Sequence, residues 1–422
     1  MTQPPPTTLR PLAQLARRGP TTTRGRVLTV AGLATVVGVF LATVPLHRDW
    51  FDLGVYYGTV DHWSRTGRIY DYLVPGTHYG FTYPPFAAVA MLPMTLVDWP
   101  SAVAISVLLN AGAAAAILHW SAGATLRRHS RHRWFAFAVA GCLLALLEPV
   151  RDTISFGQVN LLLLVLVLAD ARLLSTSHAR FARYTRYAGI GIGLAAAIKL
   201  TPAIFIGYLL LTRRTRAAVT ATVTAVAATL FALWAAPDAS RIYWTEAMWN
   251  TDRVGSLAYV SNQSWQGVLA RITEPAAPSR AVWAIGVIVL LCAWAWRARG
   301  AVAAGNDAAG FALTGITACL ISPVTWVHHL VWLVPALAIL VDAGLRSAAG
   351  SPARRRLLRW SVTLYVVLCS SVVWLWSKDS SGIEGFVGGN TYVWISLGLL
   401  LTLPVLPSPA SAADDVPPVH SP

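Results

Sequence analysis

Charged side chains are scarce in this chain, making up 12% of its 422 residues against the roughly 25% usual in soluble domains. Water is therefore not the main solvent of its surface. Acids are the rarer sign, with 18 Asp and Glu against 33 Lys and Arg. The four cysteines, Cys142, Cys292, Cys319 and Cys369, lie inside apolar segments without CxxC spacing, which excludes a disulfide framework or a zinc ribbon and leaves them as packing residues. No repeat of fixed period occurs, and this excludes a solenoid. The net charge of +15 does not indicate nucleic acid, because the arginines stand in short clusters between apolar runs rather than on one face.

What is abundant is apolar sequence. Runs near the roughly 20 residues needed to cross a bilayer recur along the chain, so an all-α polytopic membrane protein is expected. Lys and Arg collect in cytoplasmic loops and thereby orient the spans. The basic segment 1–26 is read as a cytoplasmic tail and 27–406 as one membrane domain; 407–422, rich in Pro, Ala and Ser, is read as a disordered cytoplasmic tail. The first run is too long for a signal-peptide core and has no small-residue cleavage site, so it is read as a retained span. Crossings are expected at 27–46, 101–120, 134–149, 160–174, 217–236, 281–296, 308–323, 326–345, 360–377 and 392–406. That gives about ten. The run 188–212 ends on Arg213, Arg214 and Arg216 and breaks the charge pattern if it crosses once. Thr201-Pro202 lies in its middle, and proline interrupts a helix, so two short arms, in and back, are expected there. Both termini then lie inside, and the outer loops, led by 47–100, carry the rarer chemistry.

Several outer motifs combine polar and aromatic groups. Arg48-Asp49-Trp50-Phe51-Asp52 places two acids just past the first span. A partly desolvated acid there is a better base, whereas an interfacial helix with water-facing acids has the same spacing. Tyr56 and Tyr83, the latter in Thr82-Tyr83-Pro84-Pro85, offer ring faces suited to sugars or to an aromatic membrane belt. Gln158 with Asn160, and Asn262 with Gln263, carry amides able to pair with sugar hydroxyls; helix capping is the plain alternative. His328-His329 follow the Ser322-Pro323 turn, where imidazole can meet a phosphate or shuttle a proton. Lys199 is an isolated charge in an apolar run, which calls for an anionic partner or a snorkelling position. Arg151, Arg241 and Arg253 are further cations for a phosphate.

Taken in order, Asp52-Leu53-Gly54-Val55-Tyr56-Tyr57, Gly67 and Tyr70, Thr82-Tyr83-Pro84-Pro85, Gly157-Gln158-Val159-Asn160, Lys199-Leu200-Thr201-Pro202, Asn262-Gln263-Ser264 and Ser322-Pro323 with His328-His329 resemble one enzyme family. The chain is similar to the actinobacterial polyprenyl-phosphate-mannose-dependent α-1,2-mannosyltransferases of the GT-C superfamily, in particular those acting on phosphatidylinositol mannosides. The resemblance implies a GT-C-like bundle in the inner (plasma) membrane with its site in the periplasmic loops. It implies a polyprenyl-phosphate-mannose donor, a phosphatidylinositol mannoside acceptor and transfer with inversion. Asp52 matches the family's first-loop catalytic acid, and His328 or His329 its histidine after the Ser-Pro turn. The Asp-x-Asp pattern is absent, since Asp49 and Asp52 are three apart, so neither metal nor other cofactor is expected. Inversion needs a single carboxylate base, and a departing lipid phosphate is stabilised by protein cations or imidazole. Many spans with a broken helix also describe a transporter or flippase of lipid-linked sugar, which would carry coupled acids at the bilayer midplane. A non-catalytic polyprenyl-phosphate scaffold is a third reading.

Overall fold

A computed structural model describes residues 20–44, 48–175, 183–249 and 255–406. Most of the predicted N-terminal tail, the whole 407–422 tail and Arg253 lie outside the described residues. Each predicted apolar run folds as helix, with no strand among the described residues beyond an isolated bridge between Leu73 and Gly80.

The first half of the chain forms α1 (Thr23–Thr43), α2 (Phe51–Thr66), α3 (Pro85–Met91), α4 (Trp99–His129), α5 (Arg133–Leu146), α6 (Glu148–Phe156) and α7 (Asn160–Leu174). Then come α8 (Ile190–Ile198), α9 (Ile204–Leu211), α10 (Thr215–Ala235), α11 (Pro237–Thr245) and α12 (Trp265–Thr273). The remainder is α13 (Arg280–Ala303), α14 (Asp307–Ile321), α15 (Leu333–Arg346), α16 (Pro352–Cys369), α17 (Gly382–Gly388) and α18 (Thr391–Thr402). Five of these segments are long and apolar enough to cross a membrane: α1, α4, α10, α13, and α15 together with the 3-10 turn Val327–Trp332. The bent pair α5 and α6 makes a sixth if counted as one span. The other predicted crossings fall on α7, α14, α16 and α18, which are shorter or begin on arginines. α16 starts at Pro352 rather than at 360, because the Ser351 hydroxyl accepts from Arg354 N and proline fits the first helical turn.

Local chemistry sets the helix ends. The Asp98 carboxylate caps α4 by accepting from Ser101 N, and Arg127, Arg128 and His129 occupy its last turn, where positive charge suits the helix dipole. Between α5 and α6 the chain turns by 72°, at Leu147–Pro149, where the ring of Pro149 removes a donor and crowds the preceding turn. α14 is apolar all round and buried from Ala309 to Leu320, so it forms the centre of the bundle. A second, smaller core lies beneath the first long loop, where Val55, Tyr56, Val60 and Phe81 pack against Ala236 and Tyr243.

The run 188–212 folds as two legs. α8 stops at Ile198, Lys199 is extended (φ −147°, ψ 129°), and Pro202 opens the short turn before α9. A side chain at Gly189 would meet Ala217 O, and one at Gly193 would meet Ala221 O, so α8 runs parallel to α10. α9 also packs on α10 and joins it through a tight turn at Thr212–Arg214, so it returns in the opposite sense. On the other face of α8, Gly191 presses on Leu166 O of α7. The Asp170 carboxylate of α7 accepts from Ile192 N at 2.7 Å and from the amides of Gly189 and Gly191. A buried carboxylate thus caps the start of the hairpin, and its apex carries Lys199 into the interior.

The glycine contacts lead to a stability test. A Cβ at Gly191 would lie 2.2 Å from Leu166 O, so Gly191→Ala should cost about 1–3 kcal/mol by overpacking. Gly112 in α4 has open space around it, and Gly112→Ala should instead gain up to about 1 kcal/mol of helix propensity. Thermal unfolding of the two purified variants in one detergent decides, and equal midpoints would contradict the close packing of α8 on α7.

Candidate active site

Asp52 stands in the first turn of α2, which lies in the long loop after the first span. Its place is set from both sides. Upstream, Asp49 and Trp50 take left-handed conformations (φ 48° and 56°), and the chain there is tied to α6: Arg48 N donates to Ser155 Oγ at 2.6 Å and Trp50 N to Ser155 O at 3.1 Å. Downstream, Gly157 ends α6 at φ +69°, and a side chain on it would strike Leu53 Cβ at 2.5 Å. Glycine therefore serves both the turn and the close approach of α6 to α2. That approach lets the next residue, Gln158, hydrogen-bond the Asp52 carboxylate.

Gln158 also links two rings. Its Oε1 accepts from the Tyr56 and Tyr83 hydroxyls, each at 2.9 Å. The Tyr83 oxygen in turn accepts from Lys199 Nζ at 3.2 Å, and the ammonium sits 4.9 Å from the Tyr83 ring centroid. Lys199 also donates to Asn160 Oδ1 at 3.1 Å and to His329 Nε2 at 2.9 Å. On the far side of the ring, His329 Nδ1 meets the backbone of its own turn, 3.2 Å from Trp326 N. All three ammonium protons are thus held by neutral partners, and the anion expected beside Lys199 is not among them.

His328 is arranged differently. Its backbone oxygen accepts from Thr153 Oγ1 at 3.0 Å and Asn160 Nδ2 at 3.2 Å. Its ring packs edge-on against Phe156 (4.9 Å) and His329 (4.7 Å), while Nε2 is buried without a hydrogen-bond partner. Beyond Phe156 lies Arg48, whose guanidinium sits 4.6 Å from the Trp374 ring and 3.6 Å from Asp152 Oδ2. Arg48, His328, His329 and Lys199 thus form a row of basic groups along one wall.

These side chains open onto a cavity of about 500 Å³ that Asp52, Gln158, Tyr56, Tyr83, Lys199, His328 and His329 all line. Asp49 is exposed outside it. Burial pushes the Asp52 carboxyl up to about 6, with the Gln158 hydrogen bond and the Lys199 charge pulling back only in part. Tyr56 is raised well above its ordinary value, first by burial and then by its Tyr83 and Asp52 neighbours, so it stays a neutral hydroxyl. Among the described residues no three His, Cys, Asp or Glu side chains converge closely enough to hold a metal ion.

Not every sequence candidate reaches the cavity. Asn160 is buried one layer behind it, holding Lys199 and the His328 carbonyl. Asn262 and Gln263, expected to meet sugar hydroxyls, are fully buried. Gln263 Nε2 donates to Val260 O and Gly389 O, and its Oε1 accepts from Tyr392 N and Val393 N, so the amide has no valence left for a ligand. Arg151 is spent on Leu146 O, Cys369 O and Ser371 Oγ. Arg48 lines the cavity as well without standing among the candidates above, although an arginine in a loop expected to lie outside runs against the charge rule. Trp374, Tyr259 and Trp326 complete an aromatic wall; each lies in a stretch that reads equally well as a membrane-belt aromatic.

Residues 81–323 match the profile of glycosyltransferase family 87. The fold and its polar cavity are therefore those of a membrane-embedded glycosyltransferase. With more than half of its length matched, the chain belongs to glycosyltransferase family 87. It is 32% identical over 370 residues to the polyprenol-phosphate-mannose-dependent alpha-(1-2)-phosphatidylinositol mannoside mannosyltransferase of Mycobacterium tuberculosis, covering 84% of this chain and 81% of the relative. A protein of that name from Mycolicibacterium smegmatis is 29% identical over 418 residues, 92% of this chain and 91% of the relative. The alpha-(1-2)-phosphatidylinositol pentamannoside mannosyltransferase of the same organism, also polyprenol-phosphate-mannose-dependent, is 32% identical over 363 residues, 83% of this chain and 82% of the relative. No solved structure matches the chain.

The Asp52 environment has a direct readout. Carbodiimide modifies the protonated carboxyl, so labelling of Asp52, followed by mass spectrometry, should fall as pH rises through about 6. Gln158→Leu and Lys199→Met each remove a group that favours the carboxylate and should move that midpoint to higher pH. A wild-type midpoint near the ordinary Asp value of about 3.9 would contradict the burial argument.

Proposed function

We propose that this protein transfers mannose from a polyprenyl-phosphate-mannose donor to a mannosyl hydroxyl of a phosphatidylinositol mannoside, forming an α-1,2 linkage with inversion. The observation that carries the reading is that one cavity is lined both by a carboxylate of raised pKa, Asp52, and by the cations Arg48 and Lys199 with two imidazoles. Asp52 takes the proton from the acceptor hydroxyl, the freed oxygen attacks C1 of the mannose, and the bond from C1 to the phosphate oxygen breaks. The lipid monophosphate leaves with its charge facing the basic wall. His328, with its unpartnered Nε2, is the imidazole free to meet that charge, while His329 orients Lys199. Tyr56 and Tyr83 hold Gln158, which aims the base. Family membership and the relatives' names favour transfer over transport of a lipid-linked sugar.

In this reading the chain sits in the inner (plasma) membrane as one catalytic domain over 27–406, with the cavity facing the periplasm. The orientation is tested by single cysteines at Gly255, which lines the cavity, and Arg355, in the arginine run that opens α16. An impermeant thiol reagent applied from the periplasm should label the first and spare the second. The reverse pattern would overturn the orientation.

The base assignment has its own test. A positioned carboxylate contributes about 10² to 10⁴ in rate. Asp52→Asn keeps shape and should still bind donor while losing transfer by that factor. Asp49→Asn, at an exposed position outside the cavity, should retain it. Transfer rate and donor affinity are measured for both, with folding checked by thermal unfolding. A fully active Asp52→Asn would remove the assignment.

A further inference from the structure

The motif Asn262-Gln263-Ser264 has a place in the fold that substrate contact does not explain. The Asn262 amide donates from Nδ2 to Leu257 O at 3.0 Å and to Pro323 O at 3.2 Å, and its Oδ1 accepts from Thr325 N at 2.9 Å. Gln263 N donates to Thr325 O at 2.7 Å, Ser264 Oγ to Pro323 O at 3.1 Å, and Val327 N to Ser261 Oγ at 3.3 Å. Residues 261–264 thus lie along the turn 323–327 and satisfy both its donors and its acceptors. His328 and His329 follow that turn directly. Behind the motif, Arg271 donates to Tyr259 O at 3.0 Å and to Asn262 O at 2.9 Å, and Gln263 ties the assembly to Gly389 O at 2.7 Å.

We infer that Asn262 is a positioning residue for the histidine pair: its amide templates the Ser322–Trp326 turn and thereby fixes where the two imidazoles face the cavity. The chemistry requires an amide. Only a side chain with a donor and an acceptor on one carbon can take Thr325 N while giving to two carbonyls. An aspartate would leave Leu257 O unpaired, leave Pro323 O to Ser264 alone and add a charge, and a leucine would leave both Leu257 O and Thr325 N unpaired. The remaining contacts hold the turn near its place when the amide is lost, so the expected consequence is misplaced imidazoles in a folded protein. A shift of about 1 Å in a group that meets developing charge costs on the order of 10²-fold in rate.

This inference rests on the transferase reading, and the test separates the two. Mannose transfer is measured for wild type, Asn262→Ala, His328→Gln and the double variant, with thermal unfolding and donor KM recorded for each. Asn262→Ala should lower kcat by about 10²-fold, more than it raises donor KM. If Asn262 acts through the histidine, the double variant should stay within about twofold of the slower single variant. A residue that merely supports the fold would give multiplicative losses instead, and that result, or wild-type turnover in Asn262→Ala, overturns the inference. Should Asn262→Ala not accumulate as folded protein, Ser264→Ala removes one bond to the same turn and should show the same lack of additivity with His328→Gln; additive losses there overturn it equally. Absence of transfer by the wild-type chain would remove the functional reading itself, and this inference with it.

Discussion

The Lys199 ammonium is the contact on which the site depends. Placing a lysine at the depth of an apolar run costs at least roughly 2.5 kcal/mol on insertion scales, and a hydrogen bond to a charged group returns about 1.5–3 kcal/mol. Three such bonds, to Tyr83, Asn160 and His329, offset the cost. They also draw together segments far apart in the chain: the first long loop, the start of α7, the hairpin apex and the histidine turn. The hairpin exists to deliver this charge, and its backbone can be broken at that depth because protein surrounds it. Asp170 at the foot of α8 and the glycine contacts with α7 and α10 set how far in the apex reaches.

Around this cation the polar residues sort into two layers. Asp52, Gln158, Tyr56, Tyr83 and His328 face the cavity. Behind them Asn160, Asn262, Gln263 and Arg271 are buried with their hydrogen bonds directed to backbone and to one another. The inner layer has the valences a substrate needs, and the outer layer removes the freedom that would blur their placement. Low dielectric makes such a network strong only when it is complete. His328 Nε2 is a buried atom left without a hydrogen-bond partner, and it belongs to the cavity wall that Arg48 also lines, the part assigned to the departing phosphate.

Asp52 shows how environment separates two chemically identical acids. Asp49 stands three residues away and is exposed, whereas Asp52 faces an amide and a distant cation within the protein. The raised pKa of Asp52 follows from its burial, which the amide and the cation offset only in part. It makes the carboxylate a stronger base while leaving it largely ionised at neutral pH, the compromise general base catalysis requires.

The sequence by itself determined the solvent of this protein, because apolar run length and charge scarcity depend on composition alone. It also located the apolar runs that become helices and required the run 188–212 to break: a proline lacks an amide hydrogen wherever it is, and clustered arginines resist burial in any context. The ordered motifs were enough to indicate the family. Depth and facing were decided only by tertiary structure. Asn160, Gln158, Asn262 and Gln263 are equivalent amides on paper, yet Gln158 meets Asp52 while Gln263 is consumed by four backbone partners. Adjacent histidines likewise diverge, His329 toward Lys199 and His328 toward Phe156. A side chain's hydrogen-bonding capacity is local and can be read from its type, but which partners use that capacity depends on segments up to hundreds of residues away, and only their packing assigns them.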